Sequence, residues 1–304
     1  MEYDVIIIGA GPCGVTSAIY CDRAGLKTLV LEKLFVGGQI VNTYEVENYP
    51  ALGMILGVDL VSKFESHLKS FEDIDFKREE VISINALGEL KEVNTKKNTY
   101  KSKAIIFATG STPRYLGVPG EERLKGMGVS YCGTCDGAMF RKQDVLVVGG
   151  GNTAVEDAIF LSRLCNKVYV VHRRDTFRAD KKMVDNMLKI PNIEFHYDSV
   201  VEEICGENST DSIIIKNINT NEKLKINVNC IFIAIGQIPN NNLIKDFVKI
   251  DDGGYAITDD HMKTNVDGFF VAGDGRAGVL KQIITAASDG AIAAFSASKY
   301  IAKL

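Results

Sequence analysis

The chain has 304 residues, 46% of them apolar, enough for about two domains with cores of ordinary size. Its formal net charge is -4 and it has no long basic run, which excludes a nucleic-acid footprint and leaves nothing to attract a membrane surface. No apolar run approaches the ~18 residues of a membrane span, and MEYDVIIIGAG at the start has no basic leader and enters a glycine turn at once, so a cytoplasmic chain without a signal peptide is expected.

The first segment, Val5 to Lys33, is VIIIGAGPCGVTSAIYCDRAGLKTLVLEK. Short β-branched runs flank a stretch with a helical apolar rhythm, so it reads as strand, glycine turn, helix, strand. Gly9 permits the tight turn, Gly11 lets the backbone approach a pyrophosphate, and Gly14 keeps helix and strand close. The helix N-terminus then offers N–H groups and a positive dipole end to phosphates. A lone G-x-G-x-x-G is a weak signal. Here it follows a buried-looking strand, opens a helix, and has Glu32 at 23 residues past Gly9, placed to accept hydrogen bonds from a ribose diol and to repel a 2′-phosphate.

Further along, AIIFATGSTP, Ala104 to Pro113, is a buried strand running into a glycine and then a proline that turns the chain out. The stretch YCGTCDG, Tyr131 to Gly137, sets Cys132 and Cys135 three residues apart with Asp136 behind them. This spacing serves half a zinc site, a structural staple or a dithiol that opens and closes. Zinc needs two more ligands. There is no second C-x-x-C, and His67, His172, His196 and His261 are isolated, so no metal is expected. Cys13, Cys21, Cys165, Cys205 and Cys230 stand singly beside apolar residues and read as small core residues, not as a secreted disulfide framework.

From Val145 to Arg173 the first segment recurs at an offset of 140 without a gap. Gly9 matches Gly149, Gly11 matches Gly151, Gly14 matches Ala154, and Glu32 matches His172. The copies differ where ligand choice is made. The second ends in HRRDTFR, whose Arg173, Arg174 and Arg178 are cationic forks suited to a phosphate; the bland alternative is a solvated charged face. The first copy should hold an adenine dinucleotide with a free ribose, and the second NADP(H) in preference to NAD(H). CIFIAIGQIP, Cys230 to Pro239, then repeats the Ala104–Pro113 pattern at an offset of 126. The tail GFFVAGDGRAG, Gly268 to Gly278, adds a buried strand ending at Asp274, with a helix expected from about Lys281 to Ala302.

The expected fold is therefore α/β, with two Rossmann-like dinucleotide-binding domains. Residues 1–113 and 241–304 would form a discontinuous first domain, and residues 114–240 a second domain inserted into it, carrying the C-x-x-C.

Together, G-x-G-P-x-G, GGQ (Gly37–Gln39), EVENYP (Glu45–Pro50), ATG (Ala108–Gly110), C-x-T-C-D-G, GGGNTAVEDA, HRRDxFRA and AGD…KQIITAASDGAIAA resemble low-molecular-weight thioredoxin reductase. The match spans the whole chain in the family's order. The resemblance implies an NADPH-dependent thioredoxin-disulfide reductase, a homodimer with one FAD in each first domain. It assigns to FAD Gly9, Gly11, Pro12, Gly14, Glu32, Gly38, Gln39, Asn48, Val81, Ala108, Gly110, Gly273, Asp274, Lys281, Gln282 and Ile283. It assigns to NADPH Gly149, Gly151, Asn152, Thr153, Ala154, His172, Arg173, Arg174, Arg178 and Gly236. Cys132 and Cys135 would be the redox pair, Cys135 facing the flavin and Cys132 attacking the disulfide of thioredoxin.

Thiol–disulfide exchange moves protons with electrons, so Asp136 is a candidate proton carrier; the alternative is a first-turn helix carboxylate. Cys132 lies 17 residues before Gly149, inside the NADPH domain, so nicotinamide and dithiol cannot reach one flavin together. The two short crossings, Arg114–Pro119 and Pro239–Asn242, look like a hinge pair, and the family rotates one domain against the other. Departures from the family pattern are Lys281, where an arginine is usual, and Gly275 and Gly278 after AGD. A ferredoxin-fed flavin thioredoxin reductase is the nearest rival, but such relatives have lost the NADPH motifs that are intact here. A peroxiredoxin-reducing relative would carry a further N-terminal module, whereas Met1 is eight residues before Gly9. A dithiol oxidase would have no use for HRRDTFR, and the intact CGTCD argues against a flavin-binding sensor without turnover.

Overall fold

The computed structural model describes residues 2–43, 45–278 and 280–304. The chain opens with β1 (Glu2–Ile8), α1 (Pro12–Arg23), β2 (Thr28–Glu32), α2 (Gly57–Lys69), β3 (Ile74–Arg78), β4 (Val81–Asn85), β5 (Lys91–Thr95) and β6 (Thr99–Phe107). The middle stretch carries β7 (Val129–Ser130), α3 (Gly133–Asp136), β8 (Asp144–Val148), α4 (Asn152–Ser162), β9 (Lys167–Val171), α5 (Lys181–Met187) and β10 (Ile193–His196). It continues with β11 (Ser199–Cys205), β12 (Ser212–Asn217), β13 (Lys223–Asn227) and β14 (Cys230–Ile233). The tail supplies β15 (Phe269–Val271) and α6 (Ile283–Ile301). No helix among the described residues is long and apolar enough to cross a membrane.

Two compact units result. The first comprises residues 1–41, 49–112 and 238–304, and the second residues 42–48 and 113–237.

In the first unit a sheet runs β3-β2-β1-β6-β5-β4. Its parallel part is β3-β2-β1-β6, and the inner strands β2, β1 and β6 are buried on both faces, which is why β1 and β6 read as continuous apolar runs. The long β6 changes partner along its length: Thr99–Ser102 pairs antiparallel with β5, and Ile105–Phe107 pairs parallel with β15. Pro12 stands at the first turn of α1, where its missing N–H costs nothing, and Gly25, at φ +73°, ends that helix in the left-handed region. One core packs α1, α2 and α6 on one face of the sheet, and another closes the opposite face around Tyr100, Phe107 and Phe269. Helices α1 and α6 touch almost backbone to backbone. A Cβ on Gly290 would stand 2.3 Å from the Cys13 carbonyl oxygen, and the Ser17 hydroxyl donates to the Gly290 carbonyl at 3.1 Å.

The second unit repeats the plan as an all-parallel sheet, β10-β9-β8-β14-β7, beside an antiparallel meander, β11-β12-β13. The sequence offsets reappear as strand register. Val5 pairs with Thr28 and Ala104, and Val145 pairs with Val168 and Cys230. Each sheet ends on a strand from a different part of the chain: β15 from the tail in the first, β7 from just before the cysteine pair in the second.

Candidate active site

Strand β7 delivers the cysteine pair. Cys132 is the N-cap of the one-turn α3 and is disulfide-bonded to Cys135, with their Cα atoms 5.3 Å apart. The Cys135 N–H donates to Cys132 Sγ at 3.2 Å, and the Cys132 N–H donates to Ser130 Oγ at 3.1 Å. Ser130 in turn donates to Asp136 Oδ2 at 2.6 Å. The other oxygen, Asp136 Oδ1, is buried with no hydrogen-bond partner among the described residues. Burial pushes the Asp136 carboxyl up to about 6, against the pull of the Ser130 hydrogen bond. Such a group changes charge near neutrality and is suited to carrying a proton.

Two acidic residues outside the expected set brace this turn. Asp157, on α4 and 5% exposed, takes a hydrogen bond from the Gly133 N–H. Burial pushes its carboxyl up to about 7. Gly133 is required here, since a Cβ would lie 2.5 Å from Asp157 Oδ1. Glu121, also buried, accepts from the Leu116 and Gly117 N–H groups and from the Tyr131 hydroxyl at 3.0 Å. It thus ties the residue before Cys132 to the 114–119 segment. A polar residue on an otherwise apolar helix face was the available signal for Asp157. Nothing local marks Glu121 or Ser130.

The first glycine turn is packed to its limit. A Cβ on Gly14 would lie 1.9 Å from the Gly9 carbonyl oxygen, and one on Gly9, at φ +104°, 2.5 Å from that of Ala108. Gly38 lies against Gly11, 3.1 Å from Cβ to Cα. Gly11 caps α1 with no side-chain hydrogen bond, so nothing from the N-cap side chain occupies the first N–H groups beside Pro12. Glu32 ends β2 with its two oxygens accepting from the Ala10 and Leu34 N–H groups at 2.9 Å each, which fixes the carboxylate beside the turn. The Gln39 amide donates to the Ser111 carbonyl near Gly110, and Val81 opens β4.

Gly273 and Asp274 form a turn against α1, where a Cβ on Gly273 would stand 3.1 Å from that of Cys13. The Asp274 carboxyl is raised by burial, and Lys281 opposes this. Lys281 Nζ donates to the Asp274 and Arg276 carbonyls at 3.0 and 2.6 Å and lies 4.3 Å above the Tyr255 ring. Arg276 pairs bidentately with Asp289, which also accepts from the Gly273 N–H. Gln282 caps α6 in a reciprocal capping box with Thr285, and Ile283 is its first residue. A cavity of about 270 Å³ opens at this helix start, lined by Gly273, Asp274, Arg276, Lys281 and Asp289 among others. Asn48 falls in the 42–48 segment, which belongs to the second unit.

The second glycine turn is built alike. A Cβ on Gly149 would lie 2.3 Å from the Ala234 carbonyl oxygen, whereas one on Gly151 would meet nothing within 4 Å. Gly151 caps α4 with no side-chain hydrogen bond; Asn152 Oδ1 accepts from the Asp180 N–H, Thr153 is exposed and Ala154 is buried. Arg173, Arg174 and Arg178 are exposed at the end of β9. His172 turns inward: it is 5% exposed, stacks on Phe177 at 5.2 Å, and its Nε2 lies 3.0 Å from the Thr176 carbonyl. The ring fills the slot left by Gly150, where a Cβ would stand 2.1 Å from it. Burial and then the neighbouring arginine charges lower the His172 pKa. Gly236, at φ +109°, accepts from the Arg114 N–H at 2.9 Å.

Each unit thus offers a dinucleotide cradle: a tight turn whose first glycine admits no side chain, a helix N-terminus without a side-chain cap, and a polar strand end. A family model described as pyridine nucleotide-disulphide oxidoreductase matches residues 3–290. A thioredoxin reductase of Peptoclostridium acidaminophilum is 44% identical over 306 residues, covering 98% of this chain and 97% of the relative. One from Listeria monocytogenes is 44% identical over 304 residues, covering 99% and 95%. The crystal structure of thioredoxin reductase from Streptococcus pyogenes, 42% identical, superposes with a TM-score of 0.95 over 100% of this chain and 99% of that one.

Proposed function

The chain belongs to the pyridine nucleotide-disulphide oxidoreductase family, and from that premise we propose that it is a thioredoxin-disulfide reductase that uses NADPH and FAD. The observation that carries the reading is the Cys132–Cys135 disulfide backed by Asp136, in the same unit as an intact second glycine turn and its three arginines. FAD, when bound, would supply two-electron chemistry between NADPH and a disulfide.

In this reading the first unit holds FAD. The α1 N-terminus after Gly9, Gly11, Pro12 and Gly14 takes the pyrophosphate, and Glu32 takes the ribose. Gly38, Gln39, Val81, Ala108, Gly110, Gly273, Asp274, Lys281, Gln282 and Ile283 complete the site within that unit. The second unit holds NADPH at Gly149, Gly151, Asn152, Thr153 and Ala154. Arg173, Arg174 and Arg178 select the 2′-phosphate. Buried His172 shapes the turn from beneath Gly150, and Gly236 lies at the neighbouring strand end.

The reduced pair carries out the exchange. Cys132 thiolate attacks the disulfide of thioredoxin, forming a mixed disulfide and releasing one thiolate. Cys135 thiolate then attacks Cys132 Sγ, restoring the internal disulfide and releasing the second. Thioredoxin gains two electrons and two protons. Asp136 accepts and returns a proton at the pair, which a carboxyl poised near 6 can do. Dithiol and NADPH share a unit, so the units rotate between half-reactions. The protein acts in the cytoplasm as a homodimer.

The second reading, electrons from ferredoxin, is disfavoured by the intact arginine cluster. Mixing the flavin-loaded protein anaerobically with NADPH separates the two. Rapid bleaching of the flavin is expected, faster with NADPH than with NADH. No bleaching with NADPH, but bleaching with reduced ferredoxin, would reverse the assignment.

A further inference from the structure

Ser130 is the last residue of β7, buried, and within reach of three groups at once. Its Oγ lies 2.6 Å from Asp136 Oδ2, 3.1 Å from the Cys132 nitrogen and 3.3 Å from the Cys132 carbonyl oxygen. A serine hydroxyl accepts at two lone pairs but has only one proton to donate. The Cys132 N–H uses one lone pair. The single proton then has two acceptors on offer, the Asp136 carboxylate or the carbonyl of the nucleophilic cysteine.

Resting on the reductase reading above, we propose that Ser130 is a positioning residue that reports the charge of Asp136 to the backbone of Cys132. With Asp136 ionised, its oxygen is the stronger and nearer acceptor, and the hydroxyl donates there. With Asp136 neutral, the acid proton is donated to Oγ, and the hydroxyl turns to the Cys132 carbonyl. Beyond the one proton that Asp136 takes up from solvent or gives back, no covalent bond changes; the Ser130 O–H rotates. The peptide groups on both sides of Cys132 are then tied to Ser130 in the neutral state, and the N–H alone in the charged state.

The surroundings leave Asp136 dependent on this one bond. Among the described residues its Oδ1 has no hydrogen-bond partner, and burial and the Ser130 hydrogen bond are what act on its charge. Of the neighbouring elements, β14 faces it with Cys230, whose own thiol the Asp136 charge helps push up. Helix α4 presents Asp157, which is engaged with Gly133 at the other end of α3. On its own turn the neighbours are Cys132 and Cys135, joined in the disulfide. A cavity of about 10 Å³ beside the pair, lined by Ser130, Asp136, Met139, Phe140 and Cys230, admits about one water at most.

Two measurements on the purified, flavin-loaded protein test this without NADPH or thioredoxin, so failure here is distinct from failure of the reductase reading. In the first, the infrared band of the neutral Asp136 carboxyl, identified by its loss in Asp136→Asn, is titrated against pH. Ser130→Ala is expected to raise the midpoint by about one pH unit, a tenfold change in the ionisation constant, and Ser130→Thr to restore it. An unchanged or lowered midpoint in Ser130→Ala overturns the proposal. The second needs no change at Ser130 and stands if that variant fails to fold. The amide signal of Cys132 in ¹⁵N-cysteine-labelled wild-type protein should titrate with the Asp136 midpoint and stop doing so in Asp136→Asn. A Cys132 amide indifferent to pH in the wild type, or one that still titrates in Asp136→Asn, overturns it.

Discussion

Asp157 and Ser17 stand at the same place in the two copies, one turn into the helix after the glycine turn, at the offset of 140. Both are buried, and both use a short polar side chain to hold another element: Ser17 holds α6, and Asp157 holds the start of α3. The acid carries a consequence for stability. Its folded pKa, about 7, lies above the ordinary aspartate value, so the folded protein binds this proton more tightly than the unfolded chain. The contribution is fully present below about pH 4 and is lost as pH rises through about 7. Asp157→Asn keeps an acceptor for Gly133 and removes the charge. Stabilities to urea should therefore lie closest near pH 4, separate progressively above it, and favour the variant near pH 8 by at most about 4 kcal/mol. Parallel pH dependences in the two proteins would contradict this. At this scale the sequence was informative where a residue is marked by its neighbours in the chain, as Asp136 is by the cysteine before it. Ser130, Glu121 and Asp157 act through contacts that the fold creates, and His172 occupies the fingerprint's acidic position yet fills the slot over which Gly150 passes.

The offsets of 140 and 126 could be read directly from the chain, and they became matched registers of β1 with β2 and β6, and of β8 with β9 and β14. Helix α6 was expected from about Lys281 and begins at Ile283, because Gln282 serves as its cap. The two-residue β7 gave no periodic signal, although it carries the cysteine pair to its place. The packing of α6 on α1 depends on Gly290, whose lack of a side chain lets the Cys13 carbonyl approach. Gly290→Ala should push these helices apart and cost roughly 1–3 kcal/mol, the range for overpacking a tight contact. The glycine turn after Gly9 opens α1, so FAD retention on gel filtration should fall as well. A variant as stable and as yellow as the wild type would show that this contact does not govern the cradle.

At the scale of the whole molecule, two units of one plan have diverged in what they present. The first sets a carboxylate, Glu32, at its strand end, and the second sets Arg173, Arg174 and Arg178 and carries a disulfide. The division of labour follows from those few side chains on a shared framework, which is why the plan was legible from the repeat and the chemistry from its differences. The central claim is that electrons from NADPH leave through Cys132 and Cys135. The most direct measurement is NADPH-dependent reduction of a small thioredoxin by the wild type, by Cys135→Ser and by the double variant Cys132→Ser/Cys135→Ser. Both variants are expected to keep flavin colour and lose turnover, whereas undiminished reduction of thioredoxin by the double variant would contradict the account.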